Sequence, residues 1–104
     1  MTAPQPVQQT SAPVGGMQQL LSALADPVRL EMVRRMVAIG GPVQCAALYD
    51  GINKSTATHH YKILREAGLT ERVVIDGLTH QRLRVDDVND AAPGLLAAVV
   101  LGPA

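Results

Sequence analysis

The chain has 104 residues with nine basic and nine acidic side chains, three His, one Cys, two Tyr and neither Phe nor Trp; 47% of it is apolar and 17% charged. That composition suits one small packed domain better than a disordered segment. One cysteine excludes an intramolecular disulfide or a multi-thiolate zinc centre, two tyrosines exclude the base-stacking platforms of RRM sheets and OB barrels, and a formal net charge of zero confines any nucleic-acid binding to a local cluster.

Residues 1–16 hold three Pro, three Gln and two Gly with no charged side chain, and are expected to form a flexible tail ahead of a single domain over 17–104. The stretch lacks the basic and apolar regions of a secretory signal. The longest apolar run, Gly94 to Leu101, is far shorter than the roughly 20 residues a bilayer span needs. A soluble, cytoplasmic protein without membrane contact is expected.

From Met17 the apolar positions Met17, Leu20, Leu21 and Leu24 recur at spacings of three and four, which predicts a first amphipathic helix. Asp26 is a good N-cap and Pro27 suits a first helical position. A second helix therefore runs from Pro27 to about Ile39 with Leu30, Val33 and Val37 inward, stopped by Gly40-Gly41-Pro42. A short third helix is expected over Val43 to Tyr49, with Ala46, Ala47 and Leu48 available for close packing. Asn53 caps a fourth helix from Lys54 to Ala67, which Gly68 closes. The period then changes from 3.6 to 2: Glu71 to Ile75 and Thr79 to Val85 read as strands of a hairpin turned by Asp76-Gly77. Asp86, Asp87 and Asp90 lead through Pro93-Gly94 into a last helix carrying Leu95, Leu96, Val99, Val100 and Leu101. The sum is a mainly α fold with a β-hairpin wing.

On a helical wheel, Lys54, Ser55, Thr58, His59, Lys62 and Arg65 fall within an arc of roughly 140°, with Glu66 the only acid among them. Ala57, Tyr61, Ile63, Leu64 and Ala67 take the opposite arc, accompanied by Thr56 and His60. Hydroxyls and an imidazole can bond base edges, while lysine and the helix N-terminus attract phosphate, so this face has what a major-groove helix needs. The hairpin that follows carries Arg72, His80, Arg82 and Arg84 and is expected to set them beside the same face. Between Asn53 and Arg65 there are three cations, two histidines and no acid, whereas Asp86 to Ala104 has three acids and no base. The neutral total conceals a polarised molecule.

Leu24-Ala25-Asp26-Pro27-Val28-Arg29-Leu30 and Lys54-Ser55-Thr56-Ala57-Thr58-His59-His60-Tyr61-Lys62-Ile63-Leu64-Arg65-Glu66-Ala67-Gly68-Leu69 resemble the ArsR/SmtB-type winged helix-turn-helix repressors, with the likeness extending from Met17 to about Leu101. The resemblance implies a winged helix-turn-helix of order α-α-α-α-β-β-α and a homodimer joined through its first and last helices. It also implies a repressor of transcription that binds double-stranded DNA. Asn53, Lys54, Ser55, Thr58, His59 and Lys62 would contact bases or nearby phosphates, and the wing, with Arg72, Gly77, Thr79, His80 and Arg82, would lie on flanking backbone. Many members sense metals through a cysteine pair or through His and acidic ligands on the last helix. Here Cys45 stands alone and no His follows His80, so neither a metal site nor a cofactor is expected. Asp50 sits where a helix-turn-helix commonly buries an aliphatic residue, which implies a lengthened or rearranged turn.

Adjacent His59 and His60 point about 100° apart on a helix, so His59 faces outward and His60 is expected as a hydrogen-bonded, half-buried imidazole. Cys45 reads as a small core or boundary residue, with redox or electrophile sensing as its sharper role. The three aspartates are expected to turn the chain and favour the positive end of the last helix. That last helix is greasy all round and must be covered. Pairing Leu95, Leu96, Val99 and Val100 with Met17, Leu20, Leu21 and Leu24 across a two-fold axis would cover it. No nucleophile with an oriented base, phosphate loop or carboxylate pair argues for an enzyme. The expectation is a dimeric regulator on an inverted-repeat operator. The alternatives are a protein-interaction module using the apolar terminal helices, or a repressor that answers a small ligand or an oxidant through Cys45.

Overall fold

The computed structural model describes residues 12–103. Its elements run α1 (Met17–Leu24), α2 (Pro27–Ile39), β1 (Val43–Gln44), a 3-10 segment (Cys45–Leu48), α3 (Lys54–Glu66), β2 (Thr70–Ile75), β3 (Leu78–Leu83), α4 (Val85–Ala91) and α5 (Leu95–Leu101). Of the stretch expected as a tail, residues 1–11 lie outside the described residues. Residues 12–16 lie against the end of α3, where the Gly15 amide donates to the Ala67 carbonyl at 2.9 Å.

Asp26 caps α2 as its position implies, its Oδ1 accepting from the Val28 amide at 2.8 Å and the Arg29 amide at 3.2 Å. Burial raises the Asp26 pKa, but those two amides, with the charge of Arg29 and the nearby His60 ring, outweigh it and hold the carboxyl below the ordinary aspartate value. The buried stripe of α2 is Met32, Val33 and Met36. It is rotated from the expected Leu30, Val33 and Val37: Leu30 is only partly buried and Val37 is exposed, because the two methionines fill the centre of the core.

The expected third helix is instead a two-residue strand followed by a 3-10 turn. Val43 pairs with Gln81 and Gln44 with His80, which draws the segment onto the edge of the hairpin and gives an antiparallel sheet of order β1-β3-β2. Leu48 reaches the core, while Ala46 and Ala47 stay exposed. Asp50 is solvent-exposed and pairs with Arg35 at 2.8 Å; the apolar contacts of this turn come from buried Leu48 and partly buried Ile52.

α3 is closed at both ends by local chemistry. Asn53 Oδ1 accepts from the Thr56 amide at 2.8 Å. At the other end the Leu69 amide donates to the Leu64 carbonyl and the Gly68 amide to the Arg65 carbonyl. These are the two bonds of a Schellman termination, with Gly68 at φ +79°. A Cβ there would also come within 2.5 Å of Pro13 and Val14 backbone atoms. The hairpin turns through Asp76 and Gly77, both at positive φ, between the paired residues Ile75 and Leu78.

The aspartates do not form a loop before the last helix. Asp86 and Asp87 occupy the first turn of α4, where they favour the positive end of that helix, and Val88 anchors it in the core. β3 accordingly ends at Leu83, two residues earlier than the alternation suggested.

α1 and α5 each pack on α2 within one subunit. Leu20, Leu24, Leu96 and Val99, expected at a subunit boundary, are buried in their own chain's core. Met17, Leu21 and Val100 remain exposed, Leu95 is partly buried, and Leu101 is 85% exposed.

Candidate nucleic-acid interface

Capping by Asn53 fixes the phase of α3, and the core then decides which side faces out. Ala57, His60, Tyr61 and Leu64 are buried, whereas Lys54, Ser55, Thr58, His59 and Lys62 are exposed and Arg65 is half-exposed. Thr56, placed by the wheel in the packing arc, is exposed as well, because it lies one residue from the buried Ala57 at the open end of the helix. The Thr58 hydroxyl donates to the Lys54 carbonyl at 2.9 Å, so its outward chemistry is that of an acceptor. His60 is 8% exposed. Its Nδ1 accepts from Arg29 Nη1 at 3.0 Å, which ties the inner side of α3 to α2.

The hairpin divides its cations between two faces. Register pairs Arg72 with Gln81 and Val74 with Thr79, so Arg72 and Thr79 share the face that continues from α3. His80 and Arg82 alternate onto the other face, where Arg82 pairs with Glu71 and the His80 Nδ1–H donates to the Leu78 carbonyl at 2.9 Å. They do not stand beside the α3 face as the ribbon reading expected. Arg84 is no surface cation either. Its guanidinium donates to the carbonyls of Ala12 and Gly68 and to the Asp87 carboxylate, joining the N-terminal segment to α4.

Lys54, Thr58, Arg65, Arg72 and Thr79 thus border one groove between α3 and the wing. Among the described residues, none of the three cations there is in an ion pair. The floor of the groove was not foreseen. Tyr61 donates its hydroxyl to the Cys45 carbonyl at 2.6 Å, and Gln81 Nε2 lies 3.8 Å from Cys45 Sγ. Burial, with the neighbouring Cys45 and Tyr49, pushes the Tyr61 phenol well above its ordinary pKa, so this donor stays protonated. The one sequence signal for the floor was the placement of Tyr61 in the packing arc; Gln81 is a polar residue that only the strand register turns inward.

A helix-turn-helix domain model matches residues 24–73, the span from the end of α1 into β2. The HTH-type transcriptional regulator YceK of Bacillus subtilis (strain 168) is 35% identical over 80 residues, 75% of this chain and 80% of the relative. The chain belongs to the helix-turn-helix transcriptional regulators. Among solved structures, the transcriptional repressor BigR from Xylella fastidiosa superposes with a TM-score of 0.61 at 26% identity, covering 84% of this chain and 86% of that one. An ArsR-like transcriptional regulator from Rhodococcus sp. RHA1 gives 0.60 at 20% identity over 72% and 71%. The fold of this helix-turn-helix regulator is therefore the winged one of ArsR-family proteins. Its helix-turn-helix unit is the 3-10 segment, the turn through Gly51 and α3. Among the described residues, no helix is long and apolar enough to cross a membrane, and no three His, Cys, Asp or Glu side chains gather as metal ligands.

Proposed function

We propose that this regulator acts as a cytoplasmic homodimer that represses transcription by occupying an inverted-repeat operator in double-stranded DNA. Lys54, Ser55, Thr58 and His59 enter the major groove, Asn53 and Lys62 approach phosphates at its edge, and Arg72, Gly77 and Thr79 bring the wing to the flanking backbone. His80 and Arg82 lie on the wing's far side and would meet DNA only where the duplex curves around it. The observation that carries the reading is the outward face of α3, with free cations and hydroxyls on one side and sealed apolar packing on the other. Exposed Met17, Leu21, Val100 and Leu101 support a two-fold contact, with partly buried Leu95 at its margin. Two α3 helices would then stand roughly 34–36 Å apart, one turn of duplex. Cys45 alone and the absence of any His after His80 support a regulator that does not sense metal.

Retention of fragments from the regulator's own upstream DNA, with Lys54→Ala and His59→Ala alongside, tests the reading. Each substitution should weaken retention, and affinity should fall steeply with salt as phosphate counterions are released. Unchanged affinity in both variants, or binding indifferent to salt, would remove α3 from the interface. Salt-indifferent capture of a protein partner would favour an interaction module.

A further inference from the structure

The half-open groove between the 3-10 segment, α3 and the hairpin offers about 670 Å³, within the usual size range of small-molecule sites. Its lining holds three cations, Lys54, Arg65 and Arg72, and no acid. Beneath them lie Ala57 and two tyrosines, Tyr49 and Tyr61, whose rings meet edge to face at 6.5 Å. Gln81, on the same floor, is 1% exposed. Its Oε1 has no hydrogen-bond partner among the described residues. A buried carbonyl oxygen without a donor is unusual and costly. A phosphate backbone could pair with the rim, but it brings neither an apolar body for the tyrosines nor a donor for Gln81.

We propose that this groove binds a small hydroxylated aromatic carboxylate, and that the bound compound displaces DNA from α3. The carboxylate pairs with Arg65 and Arg72, the ring lies against the tyrosine edge, and the Gln81 side chain turns so that its Oε1, otherwise closed off from solvent, accepts from the hydroxyl. Lys54 and Thr58 border the groove and also stand on the outward face of α3, so occupant and duplex compete for the same side chains. The displacement half rests on the proposed DNA reading; the binding half does not.

The full chain is titrated, without DNA, into fluorescent 6-hydroxy-2-naphthoate. Saturable binding on the order of 100 µM is expected for a ligand of this size. Uncharged 2-naphthol and the Arg65→Gln variant should each lose about tenfold, the effect of one charge-assisted contact. Gln81→Leu should weaken the hydroxy acid and leave 2-naphthoate unaffected. Cys45 is the sole cysteine, so its alkylation by iodoacetamide, read by intact mass, should slow when the groove is filled. Absence of binding at millimolar compound, equal binding of 2-naphthol, or no effect of Arg65→Gln would overturn the site. A duplex retained without compound and still retained at saturating compound would overturn the displacement. A duplex never retained would sink the DNA reading and leave the ligand site standing.

Discussion

α3 and α5 are held by different means. α3, 13 residues long, has the Thr56 amide of its first turn met by the Asn53 side chain and two of its last carbonyls met by the Gly68 and Leu69 amides, all neighbours in sequence. α5 has seven residues and no side-chain cap, and it starts from Gly94 at φ +87°. The carbonyls at its end are met from α2: Arg34 donates to Val99 at 2.7 Å, to Gly102 at 2.7 Å and to Pro103 at 3.0 Å. A helix that leaves one face bare for a partner needs ends that do not depend on what covers it. A short helix at the chain's edge can borrow its ends from the core.

Removing the borrowed support should have the largest effect. Arg34→Ala leaves two part-buried carbonyls, those of Val99 and Gly102, unmet and is expected to cost about 2–3 kcal/mol in urea unfolding, the range for bonds to a charged group. Amides in α5 should lose hydrogen-exchange protection while those of α3 keep theirs. Equal loss in both helices would erase the contrast. Next comes the local termination. Gly68→Ala is expected to cost about 2 kcal/mol, since an alanine there is strained at positive φ and meets the backbone of Pro13 and Val14. Gly94→Ala, at φ +87° in the left-handed helical region with nothing nearby, should cost only about 1 kcal/mol from strain alone. If the two losses match, residues 12–16 yield freely and the end of α3 is less firmly seated than its geometry implies.

The same division explains what could be read in advance. α2, α3 and the hairpin were legible because Asp26-Pro27, Asn53, Gly68 and Asp76-Gly77 act on the backbone within a few residues. Val43 to Leu48 was not. Val-Gln-Cys-Ala-Ala-Leu has no clear period, and a pairing across to Gln81 and His80 settled it as strand and 3-10 turn. Asp86, Asp87 and Asp90 looked like punctuation, yet acids in a first turn also favour a helix, and the burial of Val88 decided for α4. At the site, the outward side chains of α3 were read correctly from the wheel except Thr56. The hairpin's cations were misplaced because alternation sends Arg72 and Arg82 to opposite faces, and only the register shows which.

The two helix caps differ in how they should respond to acid. Asn53→Ala and Asp26→Ala are each expected to cost about 1 kcal/mol at neutral pH. Asp26 has its folded pKa held below the ordinary value. Its contribution is therefore complete above the unfolded aspartate pKa of about 3.9 and is lost as pH falls through the lower folded value. Urea midpoints taken from pH 6 downward should show the Asp26→Ala deficit shrinking in acid while the Asn53→Ala deficit persists. Parallel deficits would mean that Asp26 stabilises α2 by shape alone.

The smallest effect should come from the closest charged contact near α3. Asp50 and Arg35 approach to 2.8 Å, but the Asp50 side chain is 84% exposed. Water screens such a pair and side-chain ordering offsets most of its attraction. Arg35 also keeps Glu31 at 3.0 Å on its own helix. Asp50→Asn should therefore leave the urea midpoint within replicate scatter and α3 as protected as before. A clear loss would mean that charge holds the turn leading into α3. In that case the helix would depend at its start on a distant partner, as α5 does at its end, and local closure would not be what frees its outer face.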